Sequence, residues 1–195
     1  MLGFIVVLVL LIVLVGFFIS VYNGLVRLKN QVTNGLSQID VQLKRRHDLI
    51  PNLVSTASNY MQHELATLTA VTEARSHAQK VASQTTDVGD SQQIGLLAQA
   101  ENALSRALGN FYAVAENYPE LKADALMKQV MDELTNTENR IGFARQHYND
   151  SVMFYNNQRE VFPNNLISGF FKFERLAQLD FNDKSAIDVA PAVKF

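Results

Sequence analysis

The stretch LGFIVVLVLLIVLVGFFISVY, residues 2–22, decides the class of this protein, because it is an unbroken apolar run without a charged side chain. An α-helix rises about 1.5 Å per residue, so a run of this length reaches about 31 Å, close to the thickness of a bilayer's hydrocarbon core. Tyr22 ends the run where interfacial aromatic side chains are common. The run predicts a transmembrane helix, and it makes the lipid bilayer the first expected partner.

A cleaved signal peptide is the alternative for the same residues. Such a peptide has a basic residue before a shorter apolar stretch and a small-residue cleavage site after it. Only Met1 precedes the run here, and no Ala-x-Ala-like site follows it. We therefore expect residues 1–22 to be a retained signal anchor. Arg27 and Lys29 follow the run, so the positive-inside rule places the rest of the chain in the cytoplasm.

The composition excludes several functional classes. The 195 residues include 17 basic and 19 acidic side chains, a net charge of −2, which gives no basic excess for binding nucleic acid. The absence of cysteine excludes disulfides, thiol catalysis and cysteine zinc sites. Only four prolines and nine glycines occur, which favours helix over sheet.

Four amphipathic segments follow the anchor, with apolar residues three and four positions apart. In the third segment only Glu101 interrupts this ladder. Loops are indicated at 83–91, where Asp90 or Ser91 can cap a helix, and at 117–120, where Pro119 suits a first helical position. The pattern predicts an all-α fold: one transmembrane helix, then an antiparallel up-and-down bundle of long amphipathic helices over residues 23–160, then a C-terminal tail, 161–195.

The stretch SQIDVQLKRRHDLIPNLV, residues 37–54, contains a helix breaker inside this pattern. Pro51 removes a helical hydrogen bond and disfavours helical angles at the residue before it. A turn near 48–51 would give four helices of comparable length, with Asp48 as an N-cap; a kinked continuous helix is the alternative. We prefer the turn, because a continuous helix would leave half of its apolar stripe without a partner.

The basic triplet Lys44, Arg45 and Arg46 lies just before this proline. At a helix end these charges would be solvated and would complement the helix dipole, which is the preferred interpretation. A partner site is the other. A capping box at Thr135 and Glu138 could also break the fourth helix near Asn136.

Six blocks of sequence occur in a characteristic order behind the anchor. Together with it, they resemble the LemA family of bacterial membrane proteins over essentially the whole chain. The resemblance implies a single-pass protein of the bacterial cytoplasmic (inner) membrane with an antiparallel helical bundle. It implies no enzymatic activity, so no catalytic residues are carried over. The blocks are YNGLVRLKNQV (22–32), SQIDVQLKRRHDLIPNLV (37–54), AVTEARS (70–76), ENYPELKA (116–123), TENRIGFAR (137–145) and FPNNLISGFFKF (162–173).

No pattern of catalytic or ligand-binding residues stands out. The histidines at 47, 63, 77 and 147 lack the spacing of metal ligands, and no nucleophile elbow or phosphate loop is present. We therefore predict no catalytic, cofactor or metal site and no small-molecule substrate. The charges of AVTEARS and TENRIGF are expected to reach other helices, and a polar layer of Asp40, Arg140 or Arg145 could fix the bundle's register.

The aromatic segment LISGFFKF, residues 166–173, follows the fourth helix and so returns to the membrane side of an up-and-down bundle. Its rings could enter the lipid interface or pack on the bundle, and the sequence does not choose between the two. The chain beyond it, 174–195, is more polar than the resemblance leads one to expect, for example at Asn182 and Lys184.

Long apolar stripes without catalytic groups favour helix–helix contacts and coiled-coil packing. The leading hypothesis is a non-enzymatic scaffold or adaptor that forms a homo-oligomer. The second is a regulatory or sensory subunit of a membrane enzyme such as a protease, which predicts a fixed complex with a membrane-protein partner.

Overall fold

The computed structural model of the protein describes residues 1–180, and within that range its only regular elements are α-helices. The predicted all-α class is confirmed. Residues 181–195, the last part of the predicted tail, lie outside the described range. The helices are α1 (Leu2–Ser58), α2 (Leu65–Gln84), α3 (Ser91–Ala115), α4 (Pro119–Ala123), α5 (Ala125–Glu160) and α6 (Asn164–Phe170).

The first part of α1 has the properties of a membrane span. An 18-residue window has a mean hydropathy of 3.4, and none of it is buried in the protein. Of the helices in residues 1–180, α1 alone is long and apolar enough to cross a bilayer. Its apolar side chains therefore face the surroundings up to Ile19, and burial begins at Leu25.

The remainder of α1 forms an up-and-down bundle with α2, α3 and α5. The most extensive contacts join α1 to α5 and α2 to α3. Buried side chains form one cluster far from the anchor, around Leu53, Leu104 and Phe111. A second cluster nearer the anchor is built around Ile39 and Tyr148.

The expected turn at 48–51 is wrong, because α1 continues through Pro51 to Ser58. The connection to α2 instead spans residues 59–64, about two to three helical turns later. The objection to a long helix was a lack of partners near the membrane. The structure supplies them, since α5 runs beside α1 and α6 also contacts it. The proposed break near Asn136 is also wrong, because α5 is continuous there.

Capping side chains set the other helix starts. Asp90 accepts hydrogen bonds from the backbone N–H groups of Gln92 and Gln93 at 3.1 and 3.0 Å, which confirms it as the cap of α3. Pro119 occupies the first turn of α4, as expected. Asp124, which the sequence analysis had not singled out, caps α5 through the Met127 N–H at 2.9 Å.

Candidate functional site: a buried charge cluster and a C-terminal strap

A cluster of charged side chains lies between α1, α3 and α5. The guanidinium of Arg46 is 2% exposed and pairs with the fully buried carboxylate of Glu101. Its other terminal nitrogen donates to Glu138 Oε2 at 2.5 Å and to Ser105 Oγ at 3.3 Å. Arg46 therefore connects three helices, and the expectation that it is a solvated charge is wrong. Removing a long cation from water requires charged partners of this kind.

His47 contacts the same carboxylate from the neighbouring position on α1. Its Nε2 donates to Glu101 Oε1 at 3.0 Å, so both oxygens of Glu101 are bound. Burial by itself raises the pKa of Glu101, but the His47 hydrogen bond and the Arg46 charge together lower the pKa below its ordinary value. Glu101 is thus held as a carboxylate in the centre of the bundle.

The backbone beside this cluster explains why a proline is accepted in α1. A proline at position 51 provides no N–H for the carbonyl of His47, four residues earlier. Arg75 of α2 donates from Nε to that carbonyl at 2.6 Å. The acceptor that Pro51 leaves open is therefore used by another helix, and Arg75 reaches across the bundle as the AVTEARS block predicted.

The arrangement is suited to holding helices together. Glu101 and His47 form an acid–histidine pair, but both are almost fully buried. Within residues 1–180 the hydrogen bond of Ser105 is to Arg46, not to His47. The shallow cavity beside the cluster, about 300 Å³, is bordered by Arg46, Ser105 and Tyr112. This geometry fixes the register of three helices and exposes no nucleophile beside a base.

A polar layer exists, but Asp40 and Arg140, two of the residues named for it from sequence, do not bind Arg46 or Glu101. Asp40 and Arg140 are exposed, and Arg145 is half-buried. The layer is built by Arg46, His47 and Glu101 instead; the interruption of the apolar ladder by Glu101 was the sequence feature that could have located it. Within residues 1–180 no group of three acidic or histidine side chains is placed to hold a metal ion.

A second polar feature holds an extended strap, residues 173–180, against α5. The amide of Asn156 binds the N–H and the carbonyl of Leu176 at 3.1 and 3.0 Å. Asn149 binds Leu179 in the same two-bond manner, at 2.8 and 3.2 Å. Both asparagines therefore take over backbone groups that would otherwise lack partners.

A tyrosine precedes each of these asparagines and binds the same strap. Tyr155 and Tyr148 donate to the carbonyls of Glu174 and Ala177, each at 2.9 Å. Burial raises the pKa of Tyr148 to about 12, so it keeps the proton that it donates. The repeat spans seven helical residues, about 10.5 Å, which matches three residues of extended chain at about 3.3 Å each. The repeated Tyr-Asn pair is a motif that sequence analysis missed.

Comparison with known proteins gives a family and several relatives. The model of the LemA family matches residues 35–195. Protein LemA of Metamycoplasma hominis is 26% identical over 179 residues, which cover 90% of this chain and 78% of that protein. Magnetosome protein MamQ 2 of Paramagnetospirillum magneticum is 26% identical over 183 residues, 86% of this chain. MamQ of Magnetospirillum gryphiswaldense is 25% identical over the same length.

The chain spans 66% of the length of each magnetosome relative. The names of these relatives describe no enzymatic activity. Together with the apolar span of α1, the relatives identify a membrane-associated protein. Because the family model matches most of its length, the chain belongs to the LemA family.

Proposed function

We propose that this protein is a non-enzymatic, single-pass protein of the bacterial inner membrane whose bundle is a self-associating scaffold. The observation that carries the proposal is an exposed apolar patch on the α1–α5 face. Val41 and Phe143 line one groove there and are 61% and 73% exposed. Exposed apolar side chains that cluster in this way mark protein contact sites. Val41, Gln42 and Phe143 are called the association patch below.

A buried polar atom in the same groove also supports a partner. Gln42 Oε1 is shielded from solvent and has no hydrogen-bond partner within residues 1–180. A buried acceptor without a donor is costly, and a rotation of the Gln42 side chain on association would let a neighbouring molecule supply the donor. The association patch thus combines apolar surface with an unused polar group, as interfaces between proteins do.

The membrane anchor makes a second copy of this chain the expected occupant. Val41 lies 19 residues after Tyr22 on one helix, about 29 Å above the membrane surface. Copies inserted in the same direction hold their patches at the same height. A two-fold axis along the membrane normal can therefore bring two patches together in an isologous contact.

The cytoplasmic side is proposed from charge. Between Met1 and Ile39 the charged side chains are Arg27 and Lys29, both basic. Positive residues next to a span favour the cytoplasmic face. A cysteine introduced at exposed Asp48 in this cysteine-free chain tests the side in intact cells: labelling by an impermeant reagent only after lysis fits the proposal, and labelling beforehand contradicts it.

Purification of the full-length protein in mild detergent tests self-association. We expect a homogeneous oligomer. The substitution Phe143→Ser should raise the dissociation constant of this oligomer tenfold or more. Leu65→Ser is the matched control, because Leu65 is equally exposed but lies at the start of α2, outside the patch. A monomeric parent protein, or equal effects of both variants, would overturn the proposal. A companion membrane protein in fixed ratio would instead favour a regulatory subunit.

A further inference from the structure

The short helix α6 carries an apolar face that the bundle does not cover. Ile167 and Ser168 are buried against the rest of the protein. Leu166 and Phe170 lie four residues apart on the other face and are 62% and 79% exposed. The sequence left open whether this segment packs on the bundle or enters the lipid interface. In the structure Ile167 and Ser168 pack on the bundle, whereas Leu166 and Phe170 point away from it.

Ring contacts fix the height of α6 relative to the membrane span. The ring centroid of Phe171 lies 4.8 Å from that of Tyr22, and the ring of Phe170 lies 5.0 Å from that of Phe171. Phe173 contacts Tyr22 as well, at 5.5 Å. Tyr22 ends the apolar run of α1, so this group of rings lies at the level where a bilayer's hydrocarbon meets its headgroups.

The residue two positions after the end of α6 has an unusual backbone conformation. Lys172 has φ of 54°, in the left-handed region. The N–H groups of Lys172 and Phe173 bind the carbonyls of Gly169 and Ser168 at 3.3 and 2.9 Å, which is the Schellman pattern. Glycine is the usual residue at that position, because a Cβ makes the conformation unfavourable. A lysine there keeps a strain that glycine would avoid, which points to a use for its side chain.

The charge around this level of the molecule is positive. Arg27 and Lys29 are exposed within two helical turns of Tyr22, and Lys172 is exposed beside Phe171. The acidic side chain of Glu160 is shared with the guanidinium groups of Arg159 and Arg175, at 3.5 and 3.7 Å. Basic side chains at this height attract anionic lipid headgroups.

We propose that residues 164–173 form a membrane foot, a second contact with the bilayer beside the transmembrane helix. Leu166, Phe170 and Phe171 insert into the interface, and Lys172 together with Arg27 binds the phosphates of anionic lipids. Interfacial segments elsewhere combine apolar insertion and basic side chains in this way. The foot holds the base of the bundle against the lipid surface at a point off the axis of α1. The proposal does not depend on self-association.

Tryptophan fluorescence tests the insertion, because the chain contains no tryptophan. Full-length Phe170→Trp is reconstituted in phosphatidylcholine–phosphatidylglycerol vesicles with bromine on the acyl chains. We expect strong quenching by the brominated lipid and protection from acrylamide in the water. Leu65→Trp is the matched control: that residue is also exposed but lies at the start of α2, outside the association patch and far from the anchor, so it should show the opposite behaviour. Equal quenching patterns for the two variants would overturn the proposal.

A second variant tests the role of the lysine. In the Phe170→Trp protein, raising the phosphatidylglycerol fraction should increase lipid quenching, and high salt should reverse the increase. Adding Lys172→Gly should remove at least half of this increase while raising the melting temperature, because glycine relieves the strained conformation. The role of Lys172 would be contradicted if lipid quenching did not depend on the phosphatidylglycerol fraction. It would also be contradicted if Lys172→Gly left that dependence unchanged. Unchanged self-association across these variants would show that the two proposals are independent.

Discussion

Nε of Arg75 in α2 donates a 2.6 Å hydrogen bond to the carbonyl oxygen of His47 in α1. His47 lies four residues before Pro51, so this carbonyl is the one that loses its helical partner at the proline. The contact lets α1 continue through a residue that commonly ends helices. It also joins α2 to α1 at the one turn of the helix where the internal ladder is incomplete.

This relationship predicts a coupling between Arg75 and Pro51. Arg75→Met should lower the free energy of unfolding by about 1–3 kcal/mol, because it leaves a buried acceptor unsatisfied. In a Pro51→Ala protein the same change should cost much less, since the new N–H can bind the His47 carbonyl. Urea unfolding of the four proteins, followed by circular dichroism, measures the coupling. Arg106→Met is the control, because Arg106 is exposed on α3. Additive effects of the two changes would contradict the explanation.

The buried cluster predicts that removing one partner of the ion pair destabilises the fold more than removing both partners. Glu101→Leu should destabilise the fold by about 3–5 kcal/mol, because Arg46 stays buried without its main counter-charge. The double variant Arg46→Met, Glu101→Leu should recover most of that loss in thermal unfolding. The exposed pair of Arg45 and Glu133 is the control, and Arg45→Met should cost no more than about 1 kcal/mol. A double variant no more stable than Glu101→Leu would refute the prediction.

The lowered pKa of Glu101 predicts a dependence of stability on pH. A carboxyl whose pKa is lower in the folded state than in the unfolded state stabilises the fold at pH values above its ordinary pKa, which is near 4.5. That contribution is lost as the pH falls through the folded-state pKa. The melting temperature of the parent protein should therefore fall more steeply below about pH 5 than that of Glu101→Gln. Asp132→Asn, an exposed control on α5, should follow the parent curve. Parallel curves for the parent and Glu101→Gln would count against the assignment.

The Tyr-Asn repeat predicts that one amide anchors the strap. Asn156→Ala removes both hydrogen bonds to Leu176. Amide hydrogen exchange at Leu176 should accelerate about tenfold or more, which corresponds to about 1.4 kcal/mol for the lost contacts. Asn157→Ala changes the neighbouring, exposed asparagine and should leave exchange in the strap unchanged. An equal acceleration by both variants would show that the strap is held by contacts other than the hydrogen bonds of Asn149 and Asn156.

Local patterns were sufficient to predict the all-α class and several of the helix ends. The apolar run to Tyr22, the cap at Asp90 and the first-turn proline at 119 depend on residues close in sequence, and the structure confirms the helical elements they predicted. The aromatic segment was placed at the membrane end by counting antiparallel helices, and Phe171 does contact Tyr22.

The errors arose where distant residues override local preference. Pro51 predicted a turn because its usual effect is local, whereas the compensating donor, Arg75, comes from another helix. Arg46 was expected in solvent because its carboxylate partners are more than 50 residues away. The strap was missed because asparagines that bind extended backbone leave no apolar periodicity; only the repeat of Tyr-Asn at a seven-residue interval indicates it.

The continuity of α1 has a mechanical consequence. A transmembrane helix leans when the bilayer is thinner than its apolar length. Because one continuous helix runs from Leu2 to Ser58, a lean of the proposed transmembrane span would tilt the bundle with it. Ser58 lies about 54 Å beyond Tyr22, so a tilt of about 10° moves the far end of the bundle sideways by about 9 Å. In the proposed single-pass arrangement, local bilayer thickness would therefore set the lateral position of the outermost loops.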